Sequence, residues 1–95
     1  MRVRWTRQAE GDREEILAYI AADNVHAAIA MDELFGAAAA RLIDFPLLGK
    51  RGRIAGTREL IPHESYRMVY EVDDAAQTVW VLTLLHTARQ WPPAR

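Results

Sequence analysis

The chain has no cysteine, and its charges nearly cancel, because twelve basic and thirteen acidic residues leave a net charge of −1. Without thiols there can be no disulfide framework and no thiolate zinc site, which fits a reducing compartment. The lack of an excess of positive charge argues against general coating of RNA or DNA as the main activity. The sequence also lacks a signal-peptide pattern and any apolar run near the roughly 18 residues of a membrane helix. We therefore expect a cytoplasmic protein with no membrane partner.

What is present is an ordinary globular composition in a short chain. The 95 residues are 51% hydrophobic and 26% charged. A chain of this size buries roughly 60 to 70% of its unfolded surface, which is enough for one modest core. We expect one domain that covers residues 1–95.

The first half of the sequence predicts a short strand and two helices. Residues 1–5 alternate as a strand does, and Thr6 can act as the N-cap of a first helix. Asn24 can cap a second helix, which ends before Pro46. The apolar stripe predicted for the second helix consists of Ala27, Met31, Phe35, Ala38, Leu42 and Phe45. A glycine-containing loop with Lys50, Arg51, Arg53 and Arg58 in and beside it follows as a local basic patch.

The last third predicts an antiparallel meander of three strands, at residues 56–61, 66–72 and 79–85, each bounded by turn residues. A hairpin of two amphipathic helices cannot bury both apolar stripes on itself, so one side must pack on this sheet. The predicted fold class is therefore α+β, in the order strand, helix, helix and three strands.

The pairing of these strands decides which polar side chains lie together. If Leu60 pairs with Arg67 and Arg67 pairs with Thr83, Arg58 and Arg67 project from one face of the sheet, since cross-strand partners share a face. The same register places Glu64 opposite His86. A slip of one residue would reverse these faces.

Three residues in this region have both a structural and a functional interpretation. Arg67 interrupts an apolar strand, so it either forms an ion pair with Glu59 or Glu71 or has a functional role. His86 either closes the last strand or acts as a general acid or base. Trp91 either covers an edge of the core or faces a partner. No histidine spacing indicates a metal site, and we expect no cofactor.

Three fragments carry a resemblance to a known family. They are GTREL at residues 56–60, YRMVY at 66–70 and LLHTARQWP at 84–92. In this order and spacing they resemble the RelE/ParE superfamily of toxins from bacterial type II toxin–antitoxin modules. The resemblance implies a β-α-α-β-β-β fold with a helical hairpin packed on a curved antiparallel sheet.

The resemblance leaves two targets open. GTREL and HTARQWP are closer to the ParE branch, which implies a DNA gyrase inhibitor that acts by binding, with Arg58, Arg67, Arg89 and Trp91 as target-binding residues. The RelE-like alternative is a ribosome-dependent mRNA endoribonuclease with Arg58, Arg67, His86 and Arg89 as catalytic residues. Two departures weigh against the alternative: Leu60 stands where the ribonucleases have a second lysine, and no tyrosine follows Tyr70. A third possibility is a degenerate member that binds its antitoxin without toxicity.

The resemblance also implies a partner, the cognate antitoxin, in a hetero-oligomer. Antitoxins of this superfamily insert an extended or helical segment into an apolar groove, a recurring mode of peptide recognition. Candidate antitoxin-binding residues on the first helix are Ile16, Tyr19 and Ile20. The same residues could instead be core, as helical apolar stripes usually are.

Overall fold

The computed structural model describes residues 1–88 and 91–93 of the 95-residue chain. Its elements, in chain order, are β1 (Arg2–Trp5), α1 (Arg7–Ala21), α2 (Val25–Asp44), β2 (Lys50–Arg51), β3 (Arg58–His63), β4 (Tyr66–Asp73) and β5 (Thr78–His86). No helix in this described part combines the length and the apolar character needed to cross a membrane.

Both predicted helix starts are confirmed. The Thr6 hydroxyl accepts a hydrogen bond from the Ala9 amide at 3.1 Å, and the Asn24 side chain accepts one from the Ala27 amide at 3.0 Å. Each bond satisfies a backbone donor that the first turn of a helix cannot pair internally. The two caps therefore fix where α1 leaves the sheet and where α2 turns back toward it.

The five strands form one sheet in the order β1-β5-β4-β3-β2. The α+β class and the helical hairpin on a sheet are confirmed, and β3, β4 and β5 form the predicted antiparallel meander. The prediction of an antiparallel sheet is wrong at one edge, because β1 pairs with β5 in parallel. A parallel neighbour needs a long crossover, and the two helices provide it. The sheet is therefore mixed.

Two further details differ from the sequence prediction. Lys50 and Arg51, expected in a loop, form the short strand β2, which pairs with Glu59 and Arg58 of β3. The assumed register is also wrong, since Leu60 pairs with Met68, and Arg67 pairs with Leu85. Hydrophobic alternation is weak in these largely apolar strands, so it could not specify the register.

The core lies between the helices and one face of the sheet. Its buried members are Ala9, Phe35, Ala38, Ala39, Leu42, Tyr66, Met68, Tyr70, Val79, Val81 and Leu84. The stripe predicted for α2 is right at Phe35, Ala38 and Leu42, whereas Ala27 and Phe45 are exposed. Phe45 lies at the C-cap with non-helical dihedrals, so it has left the helical face that its spacing suggested.

Candidate functional site

A groove of about 640 Å³ opens between α1 and the strand ends beside it, where β4 begins and β5 ends. Its lining includes the three candidate antitoxin-binding residues, Ile16, Tyr19 and Ile20, together with Met31, Tyr66, Leu84 and His86. Ile16 and Ile20 are half-buried and pack against the core, whereas the Tyr19 side chain is 79% exposed. The structure thus brings the three candidates together in one groove, where part of their apolar surface is open to solvent.

Two polar contacts hold the walls of this helix groove. Asp12 of α1 accepts hydrogen bonds from the Thr83 hydroxyl at 2.5 Å and from the Leu84 amide at 3.1 Å. The pairing of β1 with β5 ends at Val81, so among the described residues Leu84 has no strand beside it on that edge and its amide bonds to a side chain instead. Asp12 therefore ties α1 to β5 beside the groove.

The floor of the groove is an aromatic cluster centred on Tyr66. The Tyr66 ring meets Phe35 and His86 edge-on, with both centroid distances at 5.5 Å. His86 is exposed, ends β5 and accepts a hydrogen bond from the Ala88 amide on Nδ1 at 3.0 Å. Since Nδ1 is an acceptor, a neutral His86 carries its proton on Nε2. His86 faces Tyr66, and the predicted pairing with Glu64 is wrong.

Arg67 lies on the opposite face of the sheet, in an ion pair with Glu59. Arg67 Nε is 3.4 Å from Glu59 Oε1, and the two side chains are 9% and 1% exposed. Glu59 Oε2 also accepts a hydrogen bond from the Arg53 amide at 3.1 Å. Among the described residues, Arg67 Nε and Nη1 make no hydrogen bond. A buried charge needs an opposite charge, so the pairing with Glu59 explains why arginine can occupy a core strand.

Arg58 projects to the helix-covered face instead, because it pairs with Tyr70, whose ring is in the core. Its guanidinium Nη1 donates to the carbonyl oxygens of Gly49 at 2.8 Å and Leu47 at 3.4 Å. The expectation that Arg58 and Arg67 share a face is therefore wrong. The register differs by one residue on β4 from the one assumed, and one residue reverses the face.

Trp91 packs across the face of the sheet that carries Arg67. It lines a cavity of about 480 Å³ with Val69, Leu85 and Ile54, and its carbonyl oxygen accepts from Arg53 Nη1 at 2.9 Å. The indole Nε1 is buried and makes no hydrogen bond within the described residues. Trp91 is half-buried, so it covers an edge of the sheet and still presents part of its ring.

The three candidate ribonuclease residues that the structure describes, Arg58, Arg67 and His86, do not converge. Arg67 points away from the helices, Arg58 points toward them, and His86 lies at the far end of the sheet from Arg58. Arg89 lies outside the described residues. No three His, Asp or Glu side chains of residues 1–88 and 91–93 are grouped so that they could hold a metal ion.

One exposed apolar cluster was missed by the sequence interpretation, which placed Phe45 in the stripe of the second helix and gave Leu47 and Leu48 no role. Phe45, Leu47 and Leu48 are 62%, 64% and 48% exposed in the turn after α2. The signal that could have found them is Pro46, which takes the following residues out of the helical period. Apolar residues that no longer follow the period of a helix cannot all join its buried face.

Comparison with known proteins agrees with this fold. Residues 3–91 match the family model described as the ParE toxin of the type II toxin–antitoxin system, parDE, so the chain belongs to the ParE toxin family. The Sinorhizobium fredii protein named "Putative toxin Y4kP" is 37% identical over 92 residues, which are 96% of this chain and 93% of that protein. The chain is thus a toxin of a type II toxin–antitoxin system, in the ParE/RelE superfamily.

Solved structures share the fold. The P. aeruginosa chromosomal ParDE system gives a TM-score of 0.76 at 18% identity, covering 90% of this chain and 95% of that one. The RelBE2 toxin–antitoxin complex of Mycobacterium tuberculosis gives 0.62 at 28% identity, covering 88% and 94%. Isolated E. coli RelE gives 0.67 at 14% identity, covering 94% and 86%.

Proposed function

We propose that this toxin inhibits DNA gyrase by binding it, blocks replication, and is neutralised by a cognate antitoxin. The observation that carries the proposal is the ParE family match over residues 3–91. A second observation supports it: Arg58 and Arg67, two of the three arginines that a ribonuclease would need at a scissile phosphate, form contacts within the protein. A protein that acts by binding alone does not need these side chains to meet at one point, whereas phosphodiester cleavage depends on positioned charge and proton transfer.

The target-binding role of Arg58, Arg67, Arg89 and Trp91 is part of the proposal, with different contributions. Arg58 and Arg67 form contacts within the protein, so we assign them to holding the target-binding surface in shape. Trp91 presents part of its ring and can contact the target directly. Aromatic anchors of this kind often dominate the binding energy of an interface.

The proposed antitoxin site is the helix groove with Ile16, Tyr19 and Ile20. An apolar groove beside a helix fits the apolar face of a partner helix or an extended segment. The related ParDE and RelBE structures are of toxin–antitoxin systems, which supports an antitoxin partner for this chain as well. Tyr19 has the largest exposed fraction of these side chains, so we expect it to contribute most.

The experiment adds purified protein to purified gyrase and relaxed plasmid, and measures supercoiling. We expect supercoiling to stop in proportion to added toxin, and to resume when equimolar cognate antitoxin is added. Preformed toxin–antitoxin complex is the matched control and should leave supercoiling unchanged. Supercoiling that is unaffected by excess free toxin would contradict the gyrase target.

Induction of the toxin alone in a bacterial host separates the alternatives. Early loss of DNA synthesis fits gyrase inhibition, whereas immediate loss of protein synthesis would favour the RelE-like endoribonuclease. Growth that continues unchanged would favour the degenerate antitoxin-binding member. Pulse labelling with thymidine and methionine measures both syntheses in one culture.

A further inference from the structure

The turn that follows α2 presents apolar side chains to solvent at the end of the molecule away from the helix groove. Four of the ten exposed large apolar side chains in the described residues fall within residues 43–48. Single exposed apolar residues are normal, but a contiguous cluster marks an interaction site. We call the exposed side chains of Phe45, Leu47, Leu48, Lys50 and Arg51 the loop platform.

Buried polar groups hold the backbone of this platform from beneath. The Tyr70 hydroxyl donates to the Pro46 carbonyl oxygen at 2.8 Å and accepts from the Gly49 amide at 2.9 Å. Arg58 Nη1 donates to the Gly49 carbonyl oxygen at 2.8 Å. Because these bonds fix the turn, the backbone that carries the apolar side chains is already ordered before any partner arrives, which lowers the entropy cost of binding.

Gly49 shows how tightly the turn is seated. A Cβ at this position would lie 2.6 Å from the Glu59 carbonyl oxygen and 2.9 Å from the Tyr70 ring. The next two residues then pair with β3 as the short strand β2. The turn is thus anchored on both sides, and its exposed apolar side chains do not result from a loose connection.

The charge around the platform is positive. Lys50 and Arg51 are exposed, and within the described residues their side chains make no hydrogen bond or ion pair. Leu47 and Arg51 line a second cavity of about 480 Å³, and Asp74 is the acidic residue in its lining. The helix groove differs, since its lining carries Asp12 and Glu15 and no lysine or arginine. The two surfaces therefore suit partners of opposite charge.

We propose that the loop platform is the main surface through which this toxin binds its target protein, in addition to Trp91, and that the target presents an apolar pocket bordered by carboxylates. The inference rests on the proposed function in one respect, that the toxin acts by binding a protein. Apolar side chains at the centre with cations at the border match the usual anatomy of a protein interface. Nucleic acid would instead favour cations at the centre.

The test compares Leu47→Ser with Ile61→Ser, a control whose side chain is 51% exposed on β3. Both sites are solvent-facing, and thermal unfolding followed by circular dichroism confirms that each variant is folded. We expect Leu47→Ser to need about tenfold more toxin for growth arrest and to bind purified gyrase about tenfold more weakly, as loss of an interface anchor does. Its affinity for the antitoxin should equal that of the wild type. Ile61→Ser should match the wild type in all three measurements.

A charge variant tests whether carboxylates border the pocket of the target protein. Lys50→Glu combined with Arg51→Glu should weaken target binding more at low salt than at high salt, because exposed charges are screened by salt. Loss of binding that does not depend on salt concentration would overturn the carboxylate assignment.

Other outcomes would overturn the platform itself. Unchanged growth arrest by Leu47→Ser would remove it as the target surface, and weakened antitoxin binding would make it an antitoxin site. A wild-type dimer that Leu47→Ser dissociates would make it a contact between copies, and DNA binding lost in the charge variant would make it a nucleic-acid site. Wild-type toxin that arrests growth without binding gyrase would contradict the gyrase proposal alone, because growth arrest still decides the platform.

Discussion

Tyr70 connects the sheet to the turn that carries the loop platform. Its ring is in the core, and its hydroxyl bonds to both Pro46 and Gly49. Burial raises the pKa of Tyr70 above its usual value of 10.0, and the Gly49 amide and the Arg58 charge oppose this only in part. One phenol therefore holds the backbone of the turn on both sides of Leu47 and Leu48.

Replacing Tyr70 with phenylalanine tests this at the residue scale. We expect Tyr70→Phe to lower the free energy of unfolding by about 1–3 kcal/mol, because the Gly49 amide is left buried without its acceptor. Urea unfolding at pH 7 measures the loss. Tyr19→Phe is the control, since its hydroxyl is on an exposed side chain and should change little. Equal stability of the two variants would contradict the role of the hydroxyl.

The same variant has a pH signature. Because folding raises the pKa of Tyr70, its contribution to stability is complete below pH 10.0 and is lost as the pH rises through the folded-state pKa. The phenylalanine variant has no such group. The stability difference between wild type and Tyr70→Phe should therefore narrow above pH 10.0 in the same unfolding experiment.

At the scale of the elements, one arginine joins the two helices. Arg13 of α1 donates from Nε to Asp32 Oδ1 at 2.6 Å and from Nη2 to Asp32 Oδ2 at 3.1 Å. Its guanidinium also lies 4.7 Å from the ring centroid of Trp5 in β1. A bidentate pair fixes orientation as well as distance. The pair thus positions the helical hairpin, one wall of the helix groove, over the sheet.

Removing the Asp32 carboxylate tests whether the Arg13–Asp32 pair acts as a clamp between the two helices. We expect Asp32→Ala to lower the free energy of unfolding by about 1 kcal/mol, since the pair is bidentate but partly exposed to solvent. Glu33→Ala, at an exposed neighbouring position, serves as the control and should have a smaller effect. Chemical unfolding in low and high salt measures both, and the Asp32 effect should shrink with salt. An effect no larger than that of Glu33→Ala would show that the clamp contributes nothing measurable.

On the scale of the whole molecule, the two proposed surfaces lie at opposite ends of β4. Tyr66 forms the floor of the helix groove, whereas Val72 lines the cavity beside Leu47. The two residues are six positions apart along the strand, which corresponds to roughly 20 Å. Sites that far apart, with no shared contact, usually respond to mutation independently. The geometry therefore allows antitoxin and target to be recognised by separate surfaces.

Paired variants test this separation. We expect Tyr19→Ala to weaken antitoxin binding by about tenfold or more with growth arrest unchanged. We expect Leu47→Ser to weaken growth arrest with antitoxin binding unchanged. The double variant should show both losses, with each equal to that of its single variant. Titration calorimetry with the antitoxin and graded induction in cells give the two readouts. Coupled losses, in which either single variant affects both readouts, would contradict independent surfaces.

The sequence by itself determined the family and every described element except the short strand β2. Thr6 and Asn24 mark the helix starts because their side chains can satisfy free amides, a local effect that needs no tertiary information. The turn residues around the meander are local in the same way. The three motifs between residues 56 and 92 pointed to the superfamily that the family match confirms.

Only the tertiary structure decided how the polar residues are arranged. The register of β4 placed Arg67 with Glu59 and Arg58 with Gly49, on opposite faces. A one-residue slip changes faces without changing the composition of the strands, so the pattern could not exclude the alternative. The parallel pairing of β1 and the exposed turn after α2 likewise depend on contacts between residues far apart in the chain. Local preferences determine where helices and strands form, and long-range packing decides which side chains of these elements stay at the surface.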